Sequence, residues 1–318
     1  MERRACLAVL LVLLGCCSNV IFLEMLVKQD PGIGNLVTFA QFLAIALEGF
    51  VFTTRCGTVP PAIPFSAWAT LVTMYFAVSV SNNWALNFAI PMPLHMIFRA
   101  GSLMANMLLG MWLLGKRYSP TKYLSVAMIT VGICTCTYGS TAGAAAAEGG
   151  DAWMAVGIGL LTFALFMSAR MGLYQEVVYA RYGKHPREAL FYTHALPLPG
   201  FLLLAPDILH HWGVVLNSPP TTLLGLSCPS MLLHLFANLA TQHLCISAVF
   251  VLTTECASLT VTLVVTLRKF LSLLFSIWYF SNPFTLLHWL GTSLVFGGTI
   301  LFSDLPSLLA AKDKAKTS

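Results

Sequence analysis

Residues 92–115 read MPLHMIFRAGSLMANMLLGMWLLG, and Arg99 is the only charge among these 24 residues. A helix needs about 20 mostly apolar residues to cross a bilayer, so the stretch predicts a membrane span with a cation inside it. The basic pair Lys116-Arg117 marks its end. Nine more windows of this kind follow outward from it, at 5–27, 35–54, 67–88, 121–140, 153–178, 189–208, 229–252, 256–280 and 286–304. Of the 318 residues, 58% are hydrophobic and 9% charged, with a mean hydropathy of +0.80. An ordinary soluble domain carries roughly 25% charged residues, so a water-facing globule is excluded. Disorder is excluded for the opposite reason, because apolar content is too high. Backbone groups must be paired within hydrocarbon, and the ten-residue alternation of barrel strands is missing. The expected fold is an all-α membrane protein with ten transmembrane helices.

An even number of spans puts both termini on one side. Twelve cations fall on that side (Arg3, Arg4, Arg55, Lys116, Arg117, Lys122, Arg181, Lys184, Arg187, Lys312, Lys314, Lys316), and the other side has only Lys28. The bias supports cytosolic termini. It also disposes of the net charge of +5 as a nucleic-acid footprint, so no nucleic acid is expected. The low-complexity run GSTAGAAAAEGGD at 139–151 divides the chain into a first five-helix repeat (1–140), a flexible linker (141–152), a second repeat (153–305) and a basic tail (306–318). Lys122-Tyr123-Leu124 and Gly132 align at constant offset with His288-Trp289-Leu290 and Gly298. Five is odd, so two such repeats would insert in opposite orientations, an arrangement typical of transporters.

Arg3-Arg4 before an apolar run resembles a signal peptide, and Leu14-Gly15-Cys16 a lipoprotein box. Cleavage there would remove the first span, strand Glu24 and spoil the charge parity. The nine cysteines show no metal or disulfide spacing, and Cys6, Cys16, Cys17, Cys134, Cys136 and Cys245 read as small packing residues within spans.

Four cations, Arg99, Arg170, Arg268 and Lys269, remain inside spans. Each costs about 3 kcal/mol on insertion scales. Glu24, Glu48, Glu176 and Glu255 could pair with them, which is the reading without a ligand. Helical spacing gathers the polar residues onto faces instead. His95, Arg99, Ser102 and Asn106 form one stripe; Glu255, Ser258, Thr262, Thr266 and Lys269 a second, with Arg268 pointing away; Tyr75, Ser79, Asn82 and Asn83 a third; His234, Asn238, Thr241 and Gln242 a fourth. The expected result is a polar central cavity with cations in it. Guanidinium and ammonium groups favour phosphate or carboxylate, amides suit hydroxyls or a base, and Tyr192 could stack on a flat ring. No metal, cofactor or catalytic constellation stands out, so an enzyme is not expected.

The ten-span plan, Phe191-Tyr192-Thr193-His194 and Thr266-Leu267-Arg268-Lys269 resemble the nucleotide-sugar transporters of the drug/metabolite transporter superfamily. Three longer runs, at 15–24, 93–99 and 252–269, resemble the branch that carries UDP-xylose and UDP-N-acetylglucosamine. The resemblance implies antiport of a cytosolic UDP-sugar against lumenal UMP by alternating access. It implies that Arg99 and Lys269 meet the diphosphate with Arg268 assisting, that Tyr192, Thr193 and His194 lie at the uracil end, and that Asn82, Asn83 and Glu255 lie near ribose or sugar. His95, Ser102, Asn238, Gln242 and Glu24 complete the expected lining. Thr193 and His194 replace both asparagines of the family's FYNN motif, and the Gly-Ala-Leu-Asn part of the guanine carriers' GALNK motif is missing before Lys269, which favours uridine. Lys314 and Lys316 match a dilysine retrieval signal read by coatomer, so Golgi or endoplasmic reticulum membrane is the expected location. The alternatives are a carrier of the same fold for another phosphorylated or sulfated metabolite, or a nontransporting scaffold. A homodimer is left open.

Overall fold

The computed structural model describes residues 2–88, 90–144, 150–183, 185–223, 226–255 and 258–302. Among them are twelve α-helices: α1 Glu2–Gln29, α2 Gly34–Phe52, α3 Phe65–Ala85, α4 Met92–Ala100, α5 Ser102–Leu114, α6 Pro120–Ala144, α7 Gly150–Tyr182, α8 Pro186–Ala195, α9 Ala205–Leu216, α10 Ser230–Glu255, α11 Ser258–Phe280 and α12 Leu286–Phe302. Proline sets many of the starts, where its missing N–H costs nothing: Pro93, Pro120 and Pro186 lie in first turns, and Pro64 precedes α3. Asp30 opens a short 3-10 turn, Pro31–Ile33, by accepting from Gly32 N at 3.2 Å, and α2 follows directly.

Among the described residues, seven segments are long and apolar enough to cross a membrane: Cys6–Gln29, Pro31–Phe52, Met92–Leu113, Pro120–Ser140, Trp153–Tyr182, Arg187–Leu216 and Ser230–Val249. The protein is therefore an all-α membrane protein. The remaining three predicted windows fall on α3, α11 and α12, of 21, 23 and 17 residues.

The structure corrects several expectations. The span at 92–115 is not one helix. It breaks at Gly101, whose ψ of 0° ends α4 two residues after Arg99. The span at 189–208 breaks as well, because Pro197 and Pro199 cannot continue the ladder of α8, and the chain runs through a 3-10 stretch, Leu198–Leu204, into α9. Glu255 is the last described residue of α10 and Ser258 the first of α11, and the two residues between them lie outside the described residues. Helix also extends into the expected linker, to Ala144 and from Gly150, and the rest of the linker lies outside the described residues. A β-hairpin, β1 Pro220–Leu223 antiparallel to β2 Leu226–Pro229, precedes α10. Cys16 and Cys245 are not lone packing residues. They form a disulfide joining α1 to α10, and a Cβ on the neighbouring Gly15 would lie 3.1 Å from the Cys245 backbone nitrogen.

The chain divides into two compact units that each draw on both sequence halves. The first comprises Met1–Cys17, Ala89–Ala155 and Leu244–Ser318; the second comprises Ser18–Phe88 and Val156–His243.

In the first unit α6 and α12 make the most extensive helix pair. A Cβ on Gly132 would meet the Gly291 carbonyl at 2.5 Å, then Val295 and Leu294; one on Gly298 would meet the Ser125 carbonyl at 2.8 Å, then Ile129 and Met128. The offset of 166 that aligns Gly132 with Gly298 also carries Ser125, Met128 and Ile129 onto Gly291, Leu294 and Val295. The two contact sets exchange under one shift, as in an isologous contact between like elements. Small residues let the backbones approach and pack without a hydrophobic drive. Gly132→Leu is expected to destabilise the detergent-solubilised protein by about 2–3 kcal/mol, with Gly132→Ala less affected, as measured by thermal unfolding.

Candidate functional site: a cation cluster and an aromatic-amide cluster

In the first unit α4 packs on α11. Arg99, in the last turn of α4, acts electrostatically on both Arg268 and Lys269 of α11, and these act on each other. Arg99 is exposed, whereas Arg268 and Lys269 are half-buried. The Nε of Arg268 is fully buried and has no hydrogen-bond partner among the described residues. Arg268 therefore lies within the electrostatic reach of Arg99, as Lys269 does. The α11 backbone is steadied locally, because Cys17 Sγ lies 3.7 Å from the Arg268 carbonyl and Ser272 Oγ donates to Cys17 Sγ at 3.4 Å. Three cations thus share one electrostatic neighbourhood in the first unit.

The expected stripe along the fourth span is divided by the break. His95 is buried at 5% exposure and does not share the accessible environment of Arg99, while Ser102 opens α5 half-buried. The side chains of Glu255, Ser258, Thr262 and Thr266, and all of Lys314 and Lys316, lie outside the described residues.

The second unit holds the other predicted residues. His194 Nδ1 is 2.7 Å from the Leu190 carbonyl, which can only accept, so the proton sits on Nδ1 and Nε2 accepts from the Tyr75 hydroxyl at 3.5 Å. Phe42 stacks on Tyr75 at 5.3 Å and meets His194 edge-on at 4.8 Å. Tyr192 stacks on Trp68 at 5.5 Å. The Thr193 hydroxyl donates to the Ala189 carbonyl at 2.6 Å.

Beside these runs an amide network. Asn83 donates to Thr38 Oγ1 at 2.8 Å and to Asn35 Oδ1 at 3.3 Å, Asn35 donates to Asp207 Oδ2 at 2.9 Å, and His211 bridges Asp207 to Asp30. Asn82 donates to its own helix at Val78. Asn238 is fully buried. Its Nδ2 donates to the Asn19 carbonyl at 3.0 Å, Asn19 returns the same bond to the Asn238 carbonyl, and Gln41 donates to its Oδ1 at 2.7 Å. Its amide thus ties α10 to α1 and α2, and the side chain is buried where an accessible lining residue was expected. Glu24 is buried at 1% exposure, Gln242 is half-buried, and Glu48 is engaged by His243 at 3.2 Å.

Asn35, Thr38, Gln41, Trp68 and Glu188 were not singled out from sequence. Asn35, Thr38 and Phe42 recur at helical spacing along α2, a signal that was present but short. Nothing in the sequence marks Trp68.

The sequence profile of the UAA transporter family matches residues 4–306, and the chain belongs to that family. It is a transporter, not an enzyme. Three relatives extend over nearly the whole chain. The UDP-xylose and UDP-N-acetylglucosamine transporter of Danio rerio is 56% identical, covering 96% of this chain and 96% of its own. The nucleotide sugar transporter SLC35B4 of Homo sapiens is 58% identical, covering 95% and 94%. The endoplasmic reticulum GDP-fucose transporter of Drosophila melanogaster is 55% identical, covering 100% and 95%.

Two substitutions test this geometry. Lys269→Met removes one of the three neighbouring cations and is expected to raise the stability of the detergent-solubilised protein by on the order of 1 kcal/mol, as measured by thermal unfolding. Asn238→Ala leaves the Gln41 amide and the Asn19 carbonyl without these partners and is expected to cost about 1–3 kcal/mol by thermal unfolding.

Proposed function

We propose that the protein exchanges cytosolic UDP-N-acetylglucosamine and UDP-xylose for lumenal UMP across the Golgi or endoplasmic reticulum membrane by alternating access. The observation that carries this is the cluster of Arg99, Arg268 and Lys269 within α4 and α11, in a chain whose relatives are named for nucleotide sugars. Each charge is costly in a low-dielectric bundle, and their repulsion adds to the cost. A diphosphate or monophosphate offsets both. Loaded forms therefore interconvert more readily than the empty one, which makes exchange the natural mode of transport. Tyr192 and His194 take the uracil end, and Asn82, Asn83 and Glu255 the ribose and sugar.

The reading includes ten crossings as two inverted five-helix repeats and cytosolic termini. The exchanged contacts of Gly132 and Gly298 support the repeats, and the charge bias supports the orientation. The fly relative gives a specific ground for a second reading, GDP-fucose, because its identity to this chain matches that of the UDP-sugar carriers.

Proteoliposomes preloaded with UMP or GMP decide between them. UMP-driven uptake of labelled UDP-N-acetylglucosamine is expected, reduced at least about tenfold in Arg99→Ala and Lys269→Ala. Normal uptake in both variants ends the proposal, and GMP-driven uptake of GDP-fucose alone selects the second reading. In cells, replacing Lys314 and Lys316 with Ala is expected to shift the carrier out of the early secretory pathway, as scored by microscopy.

A further inference from the structure

The third cluster of interest lies wholly in the second unit, where α8 begins. Glu188 receives three hydrogen bonds: Ala62 N donates to Oε2 at 2.9 Å, Ile63 N to Oε1 at 3.0 Å, and Trp68 Nε1 to Oε1 at 3.2 Å. Ala62 and Ile63 end the loop between α2 and α3, and Trp68 lies in the first turn of α3. One carboxylate thus ties a loop and two helices at a single point. Trp68 is 0% exposed, so its indole N–H has no access to water and needs this acceptor. Glu188 also sits one turn before Tyr192 on α8, and the ring it anchors is the one on which Tyr192 stacks, with planes 22° apart. Ile63, Ala67, Trp68, Leu71, Val178 and Ala189 form one buried core against which Tyr192 packs.

We infer that Glu188 is a positioning residue, which fixes the Trp68 ring and the loop end so that Tyr192 is held in one orientation for the nucleotide base. The inference rests on the reading of Tyr192 as a base contact. A carboxylate suits the task better than an amide, because its two oxygens only accept and all three facing groups only donate. Loss of the anchor leaves these donors buried and lets the indole shift, and Tyr192 then has to be ordered by the incoming base. The cost appears in binding and not in turnover.

The test is UMP-driven uptake of UDP-N-acetylglucosamine in proteoliposomes, with KM and Vmax normalised to monodisperse carrier. Glu188→Ala is expected to raise KM roughly tenfold with Vmax within about twofold. Glu188→Gln, which retains the oxygen facing Ile63 and Trp68, is expected to show a smaller rise and decides the matter if Glu188→Ala does not fold. In a Tyr192→Ala background, neither change should raise KM further. A raised KM in Tyr192→Ala with unchanged KM in both Glu188 variants overturns this inference alone, as does full additivity. An unchanged KM in Tyr192→Ala overturns the base-contact reading and this inference with it.

Discussion

Like charge held together in an apolar surrounding is the constraint on which the rest depends. Two unit charges 4 Å apart repel by about 4 kcal/mol at an effective dielectric of 20, and each intramembrane cation carries a further insertion cost. A fold that gathers Arg99, Arg268 and Lys269 must meet that cost elsewhere, in the close glycine-lined contact of α6 and α12 and the packing of α4 on both α11 and α12. On the proposed reading, a phosphate-bearing solute completes the arrangement.

Much of this was legible in sequence because hydrocarbon imposes strict rules. The apolar windows, the all-helical class and the intramembrane cations follow from spacing and composition, since lipid leaves the backbone few alternatives. The breaks were not legible in the same way. Gly101 reads as one more small residue in an apolar run, and only the close approach of Ile133 shows why no side chain fits at the break. Pro197 and Pro199 were visible as helix breakers, but an apolar window does not reveal that the chain continues as 3-10 structure.

The site divides along similar lines. Tyr192 could be named as an aromatic group in a span and His194 through the motif the family resemblance supplies, yet their packing involves Trp68 and Phe42, which look like ordinary core residues. Asn238 shows the converse. A polar side chain on a polar stripe invites a ligand, but this one is buried against Gln41 and Asn19, and partners more than 190 residues distant cannot be read from helical periodicity. Glu188 does not stand out in the sequence, because its donors lie over 100 residues away.

The Cys16–Cys245 bond spans 229 residues of sequence. It closes most of the polypeptide into a covalent ring, leaving only the first fifteen residues and the last stretch as free ends. A single cut anywhere within the ring opens it without releasing a fragment, so a nicked chain stays tethered as one molecule until a reductant reaches that sulfur pair.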